Sequence, residues 1–322
     1  MSGVKQHYIP RLFLRAFRSD RKGRVAQVRV YRRDRAYSAN VDDVAAERFF
    51  YSELSADGSE TLDDLITRYE TDLASDVREL SASAGSSVDP GVSARVVTHL
   101  LVRNRHVRGF MRAGIAGMAD AIAGLFGDSG RIAALLGADG PVPSRRFRDL
   151  FDEHVVGQPQ LAMLGIPAPA LASLAYTLLR ENAETGFDEF STAIGDMAAR
   201  VRDQGADAMR QAHVRTLGSS LAPELRVDAL KALDWRVEAI PDASFILPDF
   251  VALGVDDGGT ASSLLMVARE SLDAVLMPLA PDLMLVGHRN GAAVPLDSFN
   301  TLAAPHCMDF FVSSVASEEL EG

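Results

Sequence analysis

Four residues carry the types and settings that chemistry would need: His7, Glu47, Arg103 and Asp249. His7 stands beside Tyr8 and four residues before Arg11, at the start of a basic segment. A histidine fixed there could accept a proton from a nucleophile, or hold an anion together with Arg11. It could equally hydrogen-bond the backbone and lock the start of the chain in place. Glu47, Arg103 and Asp249 are the partners such a base would call on, and together the four form the candidate catalytic set.

Other spacings are weaker. His99, Arg103 and His106 fall at i, i+4 and i+7, so a continuous helix would line them along one face. Arg103 sits between the histidines and repels a cation, so a solvated or ion-paired face competes with a metal site, and no metal ligand is assigned. The order Arg103-Asn104-Arg105-His106 is that of the arginine-to-histidine motif of helical ribonucleases, with too short a gap. Asp249 after Leu247-Pro248, followed later by Val267-Ala268-Arg269-Glu270, has the outline of a metal-dependent nuclease core. The lysine that would complete it is missing and the glutamate is displaced, which leaves a turn aspartate as the plain alternative. No nucleophile elbow, phosphate loop, dinucleotide fingerprint or paired-histidine zinc helix is present, and the cofactor stays unassigned.

The element that would position His7 follows it at once. Pro10 suits the first turn of a helix, and Ile9, Leu12, Phe13 and Phe17 share one face while Arg11, Arg15 and Arg18 share another. Such a stripe predicts that the segment inserts into the body of the protein. Residues 1–37 hold eleven basic side chains against Asp20 and Asp34, a net of +9 that leaves −20 for the rest of a chain of net −11. A basic arm could bind an anionic ligand or nucleic acid, or be held by the acidic body through internal ion pairs, and the acidity of the whole favours the second.

With 322 residues, 47% hydrophobic and 24% charged, the chain is long and apolar enough for a real core. The single cysteine, Cys307, rules out an intrachain disulfide framework and any multi-cysteine zinc site. No apolar run approaches a membrane span and the basic start lacks the pattern of a secretory signal, so a soluble, cytoplasmic protein is expected, with no membrane partner.

Along the chain, Val25 to Tyr31 reads as a strand after a turn at Gly23, with Ala36 to Val41 pairing back on it. Asp42 and Asp43 are capping candidates for a short helix from Val44 to Glu47, which leads to a core trio Phe49-Phe50-Tyr51. Thr61 with Asp64 approximates a capping box for a helix reaching Leu80, and Asp89-Pro90 opens a long helix whose pattern extends to Ile122. Residues 127–169 alternate short helical pieces, such as Ser144 to Val155 with Phe147, Leu150 and Phe151 on one side, with Gly and Pro punctuation, and form the expected mobile or variable part. Helices then run from Pro169 to Leu179 and from Asp188 to near Leu217. After Pro223 a short helix with Leu225 and Leu230 precedes strand-like runs at Trp235–Ile240, Ser244–Leu247, Leu264–Ala268, Ala274–Met277 and Leu283–Val286, with Asn290-Gly291 as a turn. The reading is α+β: a mostly helical body, a basic N-terminal helix and hairpin, and a C-terminal antiparallel sheet. The chain is taken as one family unit, subdivided at 1–60, 61–222 and 223–322.

Lys5-Gln6-His7-Tyr8-Ile9-Pro10 with Leu14 to Phe17, then Tyr31, then Ala46-Glu47 and Phe49-Phe50-Tyr51, resembles the start of a bacterial domain-of-unknown-function family, number 4238. The resemblance extends to Leu100, Leu101 and Arg103, to Phe245 through Asp249, to Pro278-Leu279 and to Asn300. Around Asp249 the family has a Ser-Asp pair followed closely by Pro, whereas this chain reads Leu247-Pro248-Asp249-Phe250-Val251 and keeps only the aspartate. The resemblance implies no activity. Two function classes therefore compete: a hydrolase-like or nucleic-acid-processing enzyme in bacterial defence, and a non-catalytic module that recognises an anionic partner through the basic N-terminal segment.

Overall fold

The computed structural model describes residues 4–19, 25–52, 59–126, 128–137, 140–153, 167–289, 291, 294 and 296–316. The expected turn at Gly23, Asn290 of the Asn290-Gly291 turn and residues 127, 138, 139 and 154–166 of the variable stretch lie outside them. Two compact units divide the chain: Met1–Arg108 with Arg210–Gly322, and Gly109–Met209.

Among the described residues, the first unit carries every strand, and it holds all four candidate residues. It opens with β1 (Lys5–His7), α1 (Arg11–Ala16), the hairpin of β2 (Gln27–Arg32) and β3 (Arg35–Asn40), and β4 (Ala46–Arg48). Then come α2 (Leu62–Ala82), β5 (Ser86–Ser87) and α3 (Pro90–Val102), followed by α4 (His106–Phe126), whose first turn belongs to this unit. Helices α5 (Ser129–Leu136) and α6 (Arg145–Phe151) belong to the second unit, together with most of α7 (Ala168–Ser219). Within that second unit Phe147, Phe151, Ala172 and Tyr176 form a small core, and Tyr176 donates a hydrogen bond to the Gly140 carbonyl at 2.7 Å.

Back in the first unit, α8 (Glu224–Lys231) precedes β6 (Asp234–Ala239), β7 (Leu247–Pro248), β8 (Leu253–Asp256), β9 (Ala261–Ser263), β10 (Leu272–Ala280) and β11 (Leu283–His288). The short α9 (Phe299–Ala303) and β12 (Phe311–Ser313) complete the described chain. Strands form a six-stranded sheet in the order β5-β6-β11-β10-β8-β9, a four-stranded sheet β3-β2-β12-β7, and the pair β1-β4. All of these strand pairs are antiparallel, and the fold is α+β. Among the described residues, no helix is long and apolar enough to cross a membrane.

Period-two alternation explains why the central strands are apolar on both sides. Val275, Met277 and Leu285 face one core while Leu276, Met284 and Val286 face another. Gly287 is paired with Trp235, and a Cβ there would come within 2.9 Å of the indole ring, so only glycine lets the two strands close. The first core also receives Ile9, Phe13 and Phe17, the stripe expected of α1, and Leu14 beside them. Thr61 and Asp64 form the full capping box of α2, and Asp89 caps α3 with Pro90 in its first turn.

Several expectations are corrected. Residues 44–47 do not form a helix: after a 3-10 turn at Val41–Asp43 capped by Asn40, the chain becomes β4 and pairs with β1. The turn into β4 is made by Ala45 at φ 53, a conformation that ends helical propagation. The long helix from Pro90 breaks at residues 103–105, where Asn104 Oδ1 accepts the His106 amide at 2.9 Å and starts α4. His99, Arg103 and His106 therefore do not share one helical face. The two helices expected before Pro223 are one, α7, because Gly186 alone, without a proline, does not stop a helix. Leu264–Ala268 is not a strand, since the Met266 amide turns back to the Ser263 carbonyl at 2.8 Å. Of Ser244–Leu247, only Leu247 joins a ladder.

Candidate functional site

Pairing of β1 with β4 sets Gln6 opposite Glu47 and His7 opposite Ala46. Gln6 is spent on structure: its Oε1 accepts the Tyr51 amide at 2.6 Å and the Ser52 amide at 3.2 Å, and its Nε2 donates to the Ser52 carbonyl at 2.8 Å. This fixes the strand-to-helix segment on which His7, Tyr8 and Pro10 follow one another.

The four candidate residues fall into two groups. In the first, Arg103 is buried and donates to the His7 carbonyl and, at 3.1 Å, to the Tyr51 hydroxyl, while pairing with Glu70. It is thus joined to the backbone of His7. The imidazole of His7 is turned toward the Val41 backbone, and its Nε2 is buried without a hydrogen-bond partner. Burial, with the nearby Arg11 charge, pushes this histidine down to about 4, and burial pushes His99 down to about 4 as well.

Both rings are neutral in the folded protein above pH 4 but take up protons in the unfolded chain below about pH 6.5. Their contribution is complete above pH 6.5 and is lost as pH falls toward 4, at about 1.4 kcal/mol per pH unit for each histidine. Denaturant midpoints should fall over that window, and His7→Gln should flatten the fall. A midpoint independent of pH from 6.5 to 4 would contradict the burial of both rings.

In the second group, Asp249 and Glu47 meet around residues of the broken helix. Asp249 is fully buried after β7, and its carboxylate is held by backbone: Oδ1 accepts from Met308 N at 3.2 Å, and Oδ2 from Asp309 N at 2.6 Å and Phe310 N at 3.2 Å. Oδ2 also receives His106 Nε2 at 3.0 Å, and Asn104 Nδ2 donates to the Asp249 carbonyl at 2.6 Å. Nδ1 of His106 makes no hydrogen bond among the described residues, and the ring keeps 8% of its surface exposed.

Half-exposed charges surround this buried pair. Arg105 bridges Glu47 at 3.0 Å and Asp309 at 3.5 Å, and its guanidinium lies 5.7 Å from the Tyr8 ring centroid. Burial pushes the Tyr8 phenol up to about 12, against the pull of its hydrogen bond with Arg105, so it is protonated at neutral pH. Arg32, at the end of β2, reaches over Phe310 at 5.7 Å and feels the charge of Asp309. The backbone here is unusual too. Ala45 and Phe49, on either side of β4, and Val251, two residues past Asp249, have positive φ. At Val251, with φ 72 and Ala252 N bonded to the Phe250 carbonyl at 2.9 Å, the chain makes a positive-φ γ-turn, the strained hand.

Among the described residues one set of three, His106, Asp249 and Asp309, brings its ligand atoms within 4.8 Å of one another. As arranged, His106 Nε2 donates to Asp249 and cannot ligate through the same nitrogen, and Asp249 Oδ2 already accepts three donors. The geometry is that of an oriented imidazole, with Nδ1 as its available nitrogen. Sequence reasoning weighed His106 on a shared helical face and in a ribonuclease-like motif, gave Asn104 no role of its own and did not reach Asp309. Asn104 and His106 adjoin Arg103 in the motif Arg103-Asn104-Arg105-His106, which was a usable signal, whereas Asp309 lies 60 residues from Asp249 in an unremarkable segment.

Residues 5–123 match the model of a family described as Protein of unknown function (DUF4238). The matched segment contains His7, Tyr8, Glu47, Arg103, Arg105 and His106 and stops well short of Asp249 and Asp309. Neither the curated proteins nor the solved structures include a match to this chain.

Proposed function

We propose that the protein is a hydrolase acting on an anionic substrate of the phosphodiester class, with His106 as its general base. The observation that carries this reading is the 3.0 Å bond from His106 Nε2 to the buried Asp249 carboxylate, which leaves Nδ1 free to take a proton. Asp249 keeps the proton on Nε2, so the basic lone pair sits on Nδ1, where it can activate water. Arg105, steadied by Glu47 and Asp309, supplies positive charge for an oxyanion, and Arg32 adds a second cation at the same edge. Tyr8, protonated at neutral pH, is the proton donor for a leaving oxygen. In this reading His7 and Arg103 position the β1 segment that carries Tyr8.

A second reading has its own observation. Lys5 and Arg11 are paired with Asp43 and Asp42, but Arg15 and Arg33 are exposed and make no ion pair among the described residues, as a surface for an anionic partner would require.

Incubation with bis(p-nitrophenyl) phosphate and with single-stranded DNA and RNA oligonucleotides separates the two, with and without EDTA. Hydrolysis of at least one substrate, retained in EDTA, is the expected result. Hydrolysis abolished by EDTA would replace the acid–base mechanism with an ion at His106, Asp249 and Asp309. Binding without hydrolysis, weakened by salt and by Arg15→Ala with Arg33→Ala, would favour the non-catalytic module.

A further inference from the structure

A cavity of about 300 Å³ opens in the first unit between the end of α3, one face of α8 and the segment before β10. Its walls are apolar, with Leu101, Leu230, Leu264 and Val267 among them, and Leu225 stands 72% exposed at its edge. Into this lining project two cations, Arg226 and Arg269. Arg226 is the unusual one. It is half-buried, and among the described residues its guanidinium has neither an ion pair nor a hydrogen bond. Burial lowers its pKa with no neighbouring charge to offset that.

A desolvated cation without a partner destabilises the folded chain, and an apolar wall beside it excludes the water that would otherwise solvate it. Both costs are relieved by one kind of ligand. We propose that this cavity binds an apolar monocarboxylate, an acyl or aryl group whose carboxylate pairs with Arg226 and whose hydrocarbon fills the space between Leu101, Leu230 and Leu264. The planar guanidinium matches a carboxylate in two parallel hydrogen bonds. The volume lies at the small end of the range for small-molecule sites, which suits a short or medium chain. A phosphate dianion fits less well, because its larger charge would have to be desolvated among apolar walls with Arg226 alone confined there to meet it, Arg269 being exposed. None of these residues belongs to the His106 site, so the inference stands apart from the hydrolytic reading.

Calorimetric titration of the full chain with sodium octanoate tests it, with 1-octanol as the uncharged comparison. Octanoate should bind saturably in the micromolar to millimolar range, Arg226→Met should weaken it at least tenfold, and octanol should bind at least tenfold more weakly than octanoate to the unmodified protein. Arg226→Met removes an unpaired cation, so its unliganded melting temperature should not fall. Ala229→Phe, which fills the cavity and keeps Arg226, should abolish octanoate binding. No saturable heat with octanoate, equal affinity for octanoate and octanol, or unchanged octanoate affinity in either variant would overturn the proposal.

Discussion

Arg103→Met is expected to lower the stability of the first unit by about 3–5 kcal/mol, the cost of breaking a buried charge pair from one side. The guanidinium is 2% exposed and serves several groups at once. It pairs with Glu70, donates to the His7 carbonyl and the Tyr51 hydroxyl, and stacks 5.6 Å from the Tyr51 ring centroid. Methionine fills much of the volume but leaves the His7 carbonyl and the Tyr51 hydroxyl short of a donor, each at about 1–3 kcal/mol if no water replaces it. Glu70 is 28% exposed on its side chain, but Oε1, the oxygen that meets Arg103, is buried and would be stranded, which keeps the total in that range. Equilibrium denaturation measures the effect. An unchanged midpoint would mean that Arg103 does not hold β1 to the helices, and would return it to the list of groups free to meet a ligand.

Asp249→Asn is expected to reduce hydrolysis by about 10²–10⁴-fold, the range in which general-base catalysis falls. The amide keeps the shape of the carboxylate but loses its charge. Its nitrogen cannot accept from Met308, Asp309 or Phe310, so the oxygen must turn to serve those amides and the nitrogen must face another donor. Where the amide nitrogen faces His106 instead, Nε2 becomes the acceptor and the proton moves to Nδ1, the position required to be basic. Some stability is lost with the buried charge-assisted bonds, so rates must be compared below the variant's own melting range. Turnover within twofold of the unmodified protein would show that the Asp249 bond to His106 is architectural only.

Much of the fold is legible because its signals are local. Thr61 with Asp64, and Asp89 with Pro90, announce helix starts through side chains that bond the first free amides a few residues away. Ile9, Phe13 and Phe17 announce an inserted helix through spacing alone. Where the outcome depends on a distant partner, the sequence misleads. Val44 to Glu47 has adequate helix formers, yet the edge of β1 draws Ala46–Arg48 into a ladder some forty residues along the chain. The break at residues 103–105 is written in Asn104, whose two ends serve the His106 amide and the Asp249 carbonyl, and the second of those partners is 145 residues away.

The site shows the same division. His7, Glu47, Arg103 and Asp249 stand out by residue type, but type does not say which groups face one another. A single residue of register separates His7, turned toward Val41, from Tyr8, which meets Arg105. Asp249 could be suspected of chemistry from its setting after Leu247-Pro248. Its partner, His106, is found only when the helix is seen to break.

The most direct test of the account is the rate of phosphodiester hydrolysis by His106→Gln, measured on protein whose denaturation midpoint matches the unmodified chain. Glutamine can still donate to Asp249, which preserves the local bond, but offers no nitrogen that exchanges a proton near neutral pH. The account predicts a loss of about 10²–10⁴-fold with substrate affinity little changed. A folded His106→Gln protein that hydrolyses the same substrate at the rate of the unmodified chain would contradict it.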